Sequence, residues 1–111
     1  MQFDALRVDG DDGRRLADCM AALTNGDPGP VVMEENGRRR VYFLVPAGST
    51  AHRSWPRGVT PFNARPGYVS YLPVPALTGD TWPLAWRFPP TSPGRFVHTL
   101  LLRCTATELL S

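Results

Sequence analysis

The sequence predicts an α+β fold: a single small domain, mostly antiparallel sheet, with one or two helices packed on it in the order β-α-β-β-β-α. Three observations carry this expectation. Phe3–Val8, Val31–Glu35 and Arg38–Val45 are short runs in which side chains alternate with the two-residue period of a half-buried strand. Leu16, Cys19, Met20 and Leu23 recur instead at helical spacing. Between the second and third runs stands Asn36-Gly37, the strongest short hairpin signal, because a type I′ turn needs positive φ at both central residues. A length of 111 residues suits one core. An apolar fraction of 42% with 20% charged residues belongs to a globular chain.

Each element has a local reason. In the first strand Phe3, Ala5 and Arg7 point one way, and Leu6 and Val8 the other. Asp9-Gly10-Asp11-Asp12-Gly13 breaks it, and Asp11 or Asp12 is expected to cap the helix that follows. Gly26 is a left-handed stop for that helix, and Asp27-Pro28-Gly29-Pro30 is a loop. In the third strand Val41, Phe43 and Val45 share one face, and Arg40, Tyr42 and Leu44 the other. Residues 46–66 read as a long irregular excursion rich in Pro, Gly, Ser and Arg. Gly67–Val74 reads as a fourth strand, and the Pro- and Trp-rich stretch after it as a connection through Trp82 and Trp86. Ser92-Pro93 has the form of an N-cap followed by Pro at N1. Phe96, Leu100 and Cys104 follow at four-residue spacing, so residues 94–104 are expected as a helix, with a strand as the rival reading. The domain is therefore expected over 1–104, with 105–111 as a tail.

Composition narrows the function classes. No apolar run reaches ~18 residues, so no transmembrane helix is expected. MQFDALRVDGDD is acidic and lacks a long apolar stretch, which points away from a secretory signal and toward a cytoplasmic protein. Every basic residue is Arg, and Lys and Ile are absent, a codon bias of GC-rich bacterial genomes. A net charge of +2 is not that of a strongly nucleic-acid-binding chain. Cys19 and Cys104 read as reduced, small core residues. With His52 and His98 they lack zinc-ligand spacing, so neither metal nor cofactor is expected.

The stretch Asn36–Gly48, NGRRRVYFLVPAG, opens a strand with three arginines. Together with Leu6-Arg7-Val8-Asp9, Phe62-Asn63-Ala64-Arg65 and Gly67-Tyr68-Val69 it resembles the palm of bacterial primase–polymerase domains of the archaeo-eukaryotic primase superfamily, and the small actinobacterial proteins similar to them. In that family a strand ends in a metal-binding D-x-D pair. A hairpin follows, whose second strand opens with a basic residue and a His, and a third acid comes later. The resemblance covers about residues 3 to 90 and implies a reduced palm.

The departures bear on chemistry. The first acid of D-x-D falls on Arg7, leaving Asp9. The His falls on Arg40, and the third acid on Asn63. Nucleotidyl transfer needs carboxylates to clamp two metal ions, and cations at these positions repel them. A register using Asp9 and Asp11 restores neither Arg40 nor Asn63. The resemblance therefore implies a non-catalytic accessory or regulatory binding module that acts through a protein partner or self-association. The alternative is a nucleotide- or nucleic-acid-binding protein whose anion site uses Arg38, Arg39, Arg40, Arg53, Arg65 and Asn63, since Arg presents a flat, bidentate donor array. A third reading is a small enzyme of unrelated chemistry in the old cleft. Against the anion reading, Arg38 and Arg40 also suit a solvated hairpin end answering Glu34 and Glu35.

Other motifs are weaker. Asp9-Gly10-Asp11-Asp12-Gly13 lacks calcium-loop spacing, with Met20 where the terminal Glu belongs. Ser49 and Ser54 lie outside any nucleophile-elbow sequence. Trp55, Trp82 and Trp86 offer base-stacking surfaces or cover for a small core. A homodimer or partner interface is expected on Trp82, Trp86, Leu100 and Leu101, where apolar surface exceeds what a thin domain covers.

Overall fold

The computed structural model describes residues 3–34, 39–50, 54–62, 84–88 and 95–110. Within them lie β1 (Phe3–Val8), α1 (Gly10–Leu23), β2 (Val31–Glu34), β3 (Val41–Pro46), β4 (Val59–Phe62), β5 (Leu84–Phe88) and α2 (Thr99–Leu110). The five strands form one sheet in the order β4-β1-β3-β2-β5, antiparallel at every junction. Helices α1 and α2 pack together and contribute to one core cluster with one face of this sheet. No helix among the described residues is long and apolar enough to cross a membrane.

Strand alternation divides the sheet into two faces, as the sequence predicts. Leu6 and Val8 of β1, Val31 of β2, and Val41, Phe43 and Val45 of β3 join Leu16, Ala17 and Met20 of α1 and Leu102 and Ala106 of α2. Side chains such as Leu6, Leu16 and Phe43 are fully buried, each contributing about 1.5–3 kcal/mol. The opposite face carries a second cluster of Ala5, Val32, Tyr42 and Leu44, with Phe3 and Trp86 against it. These four are also buried, so this face too is covered apolar surface.

The first helix starts earlier than expected. Asp9 is its N-cap residue, although its side chain makes no capping hydrogen bond, and Asp11 and Asp12 lie exposed in the first turn. Gly13 explains how closely this turn approaches the sheet. A Cβ there would stand 2.7 Å from the Val8 carbonyl oxygen and 2.8 Å from Val41 Cβ. At the other end the Gly26 N–H donates to Ala21 O at 2.7 Å, and Asn25 holds φ 55. Asn25 thus takes the left-handed position directly after the cap, in a Schellman-type closure, one residue before the expected Gly26. Leu23, expected on the apolar stripe, is 61% exposed.

Several boundaries differ from the sequence expectation. β3 begins at Val41, because Arg39 holds φ 52, outside any strand conformation. The excursion expected over 46–66 contains β4, an edge strand. The Trp-rich connection contains β5. Residues 95–98 are not helical; α2 begins at Thr99 and runs to Leu110, through residues expected as a tail. Its buried residues are Thr99, Leu102 and Ala106, whereas Leu100 and Cys104 are exposed. Cys104 is therefore not the core residue expected, and Cys19 is half-buried; both are free thiols. The expected fourth strand at Gly67–Val74, the Asn36-Gly37 turn and the Ser92-Pro93 cap lie outside the described residues.

Candidate functional site

Pairing of β1 with β3 places Val8 opposite Val41, so the next residues outward, Asp9 and Arg40, meet at the same end of the sheet. Arg7 lies on the face away from the helices, between Tyr42 on β3 and Thr60 on β4. Its Nε is 3.3 Å from Asp9 Oδ1. Arg7 and Asp9, two residues apart at the end of β1, are thus joined in an ion pair. On the neighbouring strand the Glu34 N–H donates to Arg40 O at 2.8 Å, and the Tyr42 hydroxyl donates to Glu34 Oε2 at 3.4 Å.

Arg39 and Arg40 differ from Arg7. Neither makes an ion pair with a described residue, and Arg40 buries its Nε with no hydrogen-bond partner among the described residues. The structure therefore gathers Arg7, Asp9, Arg39 and Arg40 at one end of the sheet. Arg38, Arg53, Asn63, Arg65, Trp82 and His52 lie outside the described residues. The expected interface set is divided: Trp86 packs on the second face, whereas Leu101 packs into the helix-side core and Leu100 stands exposed on α2. Of the described members, Trp86 and Leu101 thus pack against opposite faces of the sheet.

The remaining candidates have structural partners. Ser49 Oγ donates to Pro46 O at 2.6 Å. Ser54 presents its carbonyl to Arg103 Nε at 2.8 Å, tying α2 to the chain before β4. His98 Nδ1 accepts the Leu101 N–H at 3.2 Å, a side-chain cap on α2. Trp55 packs against the helix-side core, and its Nε1 donates to Thr50 O at 3.4 Å.

Two features escaped the sequence reading. Asp4 is fully buried on the helix side of β1, where its Oδ2 accepts from Thr50 N at 3.2 Å and Thr50 Oγ1 at 2.7 Å. Its Oδ1 has no hydrogen-bond partner among the described residues. The signal was present, since Asp4 shares the inward phase of Leu6 and Val8. The second is Arg14, near the start of α1, which buries an Nε with no hydrogen-bond partner among the described residues. No pattern in the sequence marks it out.

No family model, curated protein or solved structure matches the chain.

Proposed function

We propose that this protein is a non-catalytic binding module on a reduced primase–polymerase-like palm, acting through a protein partner or self-association. The Arg7–Asp9 ion pair at 3.3 Å carries this reading. A guanidinium beside the one retained carboxylate competes with any dication for it, and in-line phosphoryl chemistry of the palm type needs two metals clamped by several carboxylates. Exposed Leu23 and Leu100, at 61% and 49%, supply apolar surface for association on the helix layer. Two measurements test the reading. Primer synthesis and extension with Mg²⁺ or Mn²⁺ and all nucleotides is expected to give no product. Metal-dependent extension abolished by Asp9→Ala would sink the proposal. Sedimentation velocity at micromolar concentration is expected to show a dimer, or a heterocomplex once the partner is added, weakened by Leu100→Ser.

A second reading, nucleotide or nucleic-acid binding, is favoured by one observation: Arg39 and Arg40 have no carboxylate partner among the described residues. Arginines without counter-ions remain available to phosphate.

A further inference from the structure

An imidazole caps the start of α2. Thr99 is the first helical residue, and the Leu102 N–H donates to His98 O at 2.9 Å, so His98 holds the N-cap position. Its side chain turns back over the first turn, where Nδ1 accepts the Leu101 N–H at 3.2 Å. Ser or Asp makes the same bond at an N-cap, to the N–H of the third helical residue. A ring nitrogen, however, accepts only while it carries no proton. With Nδ1 as acceptor, the single ring proton sits on Nε2 and the imidazole is neutral.

Protonation would turn this acceptor into a donor facing a donor. It would also set a positive charge at the positive end of the helix macrodipole. Among the described residues nothing offsets either effect. The first turn of α2 holds no acidic residue. The α2 start lies beside the loop after α1, where Asp27 pairs with Arg95 at 3.5 Å. In the C-terminal half of α1, Asp18 is held by Arg87 of β5 at 2.8 Å, and Cys19 is a free thiol. Asp11, Asp12, Arg14 and Arg15 belong to the opposite end of α1. Arg103, further along α2, donates to Ser54 O at 2.8 Å. No described carboxylate makes an ion pair with the imidazole. His98 is exposed, so water can deliver the proton.

The chain is fixed on both sides of this turn. Upstream, the Val97 N–H donates to Leu44 O at 2.9 Å, and a Cβ at Gly29 would stand 2.7 Å from Val97 N. Downstream, Leu102 and Ala106 lie in the core. Residues 99–101 span the gap between these anchors, and the cap closes them. We propose that His98 is a pH-sensitive latch on the first turn of α2: the neutral imidazole holds the turn closed, and protonation opens it while the rest of the helix stays docked. The unfolded chain takes up this proton with no bond to lose, so the stabilisation is present at high pH. It is lost as pH falls from about 8 to about 5, the range in which imidazoles gain charge. The inference stands apart from the proposed association, although Leu100 lies in the same turn.

The test is urea denaturation of the full chain and of its His98→Asn and His98→Ala variants, at about pH 8 and about pH 5. Asn caps well and does not titrate. Every other titrating group, His52 included, is common to the three chains, so the differences between them isolate His98. At the higher pH the parent and His98→Asn should match, and His98→Ala should have a folding constant about fivefold lower, the scale of one N-cap. At the lower pH the parent should fall to the level of His98→Ala or beneath it, while His98→Asn keeps its lead. In nuclear magnetic resonance the Leu101 amide should shift together with the His98 imidazole as pH is lowered, the imidazole being identified by its absence from His98→Asn. Three results overturn the inference: His98→Ala matching the parent at the higher pH, an unchanged gap between the parent and His98→Asn at both pH values, or a Leu101 amide that stays put while the imidazole titrates.

Discussion

At the scale of single residues, a buried polar contact lies away from the candidate site. Asp4 is a fully buried carboxylate whose described donors are the N–H and hydroxyl of Thr50. A buried carboxyl group with few partners depends on each of them. Thr50→Val keeps the shape and removes the 2.7 Å hydroxyl bond. We expect a loss of about 1–3 kcal/mol in urea denaturation, the cost of leaving a buried polar group without its partner. A change below about 0.5 kcal/mol would mean that the contact contributes little. Arg7 and Asp9 contrast with this pair. Their side chains are 24% and 57% exposed, so solvent screens them and their worth to stability is small. The value of that pair lies in what it occupies. Both features were differently legible. Arg7 stands out at once in a strand that ends in an acid, whereas Asp4 has to be noticed as an acid in an inward-facing phase.

At the scale of elements, packing rather than local pattern set the outcomes that the sequence missed. Trp86 and Phe88 are two residues apart, and in a regular strand they share a face. Here Val31 pairs with Phe88 and Val32 with Trp86, so Arg87 is an extra, bulged residue. The bulge sends Trp86 to one face and Phe88 to the other, and frees Arg87 to reach Asp18 of α1 at 2.8 Å. Alternation is erased in the very residues where it would be read. β4 was hidden by Pro61, which an edge strand tolerates and a central strand does not. For α2, Ser92-Pro93 drew the expected start upstream, while the observed cap is the His98 imidazole, a residue seldom weighed as a cap. By contrast β1, α1 and β2, and the two faces of β3, were readable from period alone. The junction of α1 with the sheet gives a sharp element-level prediction. Gly13→Ala places a methyl 2.7 Å from a backbone oxygen that cannot swing away. It should destabilise the fold by about 1–3 kcal/mol despite the better helix propensity of Ala. A melting temperature equal to or above that of the parent would show that α1 has room to lift.

At the scale of the whole molecule, the order β4-β1-β3-β2-β5 determines how the chain finds its fold. Among the described strands only β2 and β3 are sequence neighbours that pair directly. β1 pairs with β3 across α1 and β2, β1 with β4 at a still greater separation, and β2 with β5 across about half of the chain. The core is also completed late, since Leu102 and Ala106 pack with Leu6 and Leu16. Such non-local pairing makes loop closure precede reward, and domains built this way refold in milliseconds to seconds rather than microseconds. Stopped-flow refolding followed by tryptophan fluorescence should show that range, and a microsecond phase carrying the full amplitude would contradict it. The same order has a consequence for the search itself. Until β5 and β4 dock, β2 and β1 present bare edges on either side of β3, whose residues Val41 to Val45 are all buried in the finished sheet. Partly folded chains therefore offer one another the same hydrogen-bonding rims that their own late strands are meant to fill. Yield on refolding should fall as protein concentration rises, through exchange of strands between copies, long before the native state itself is at risk.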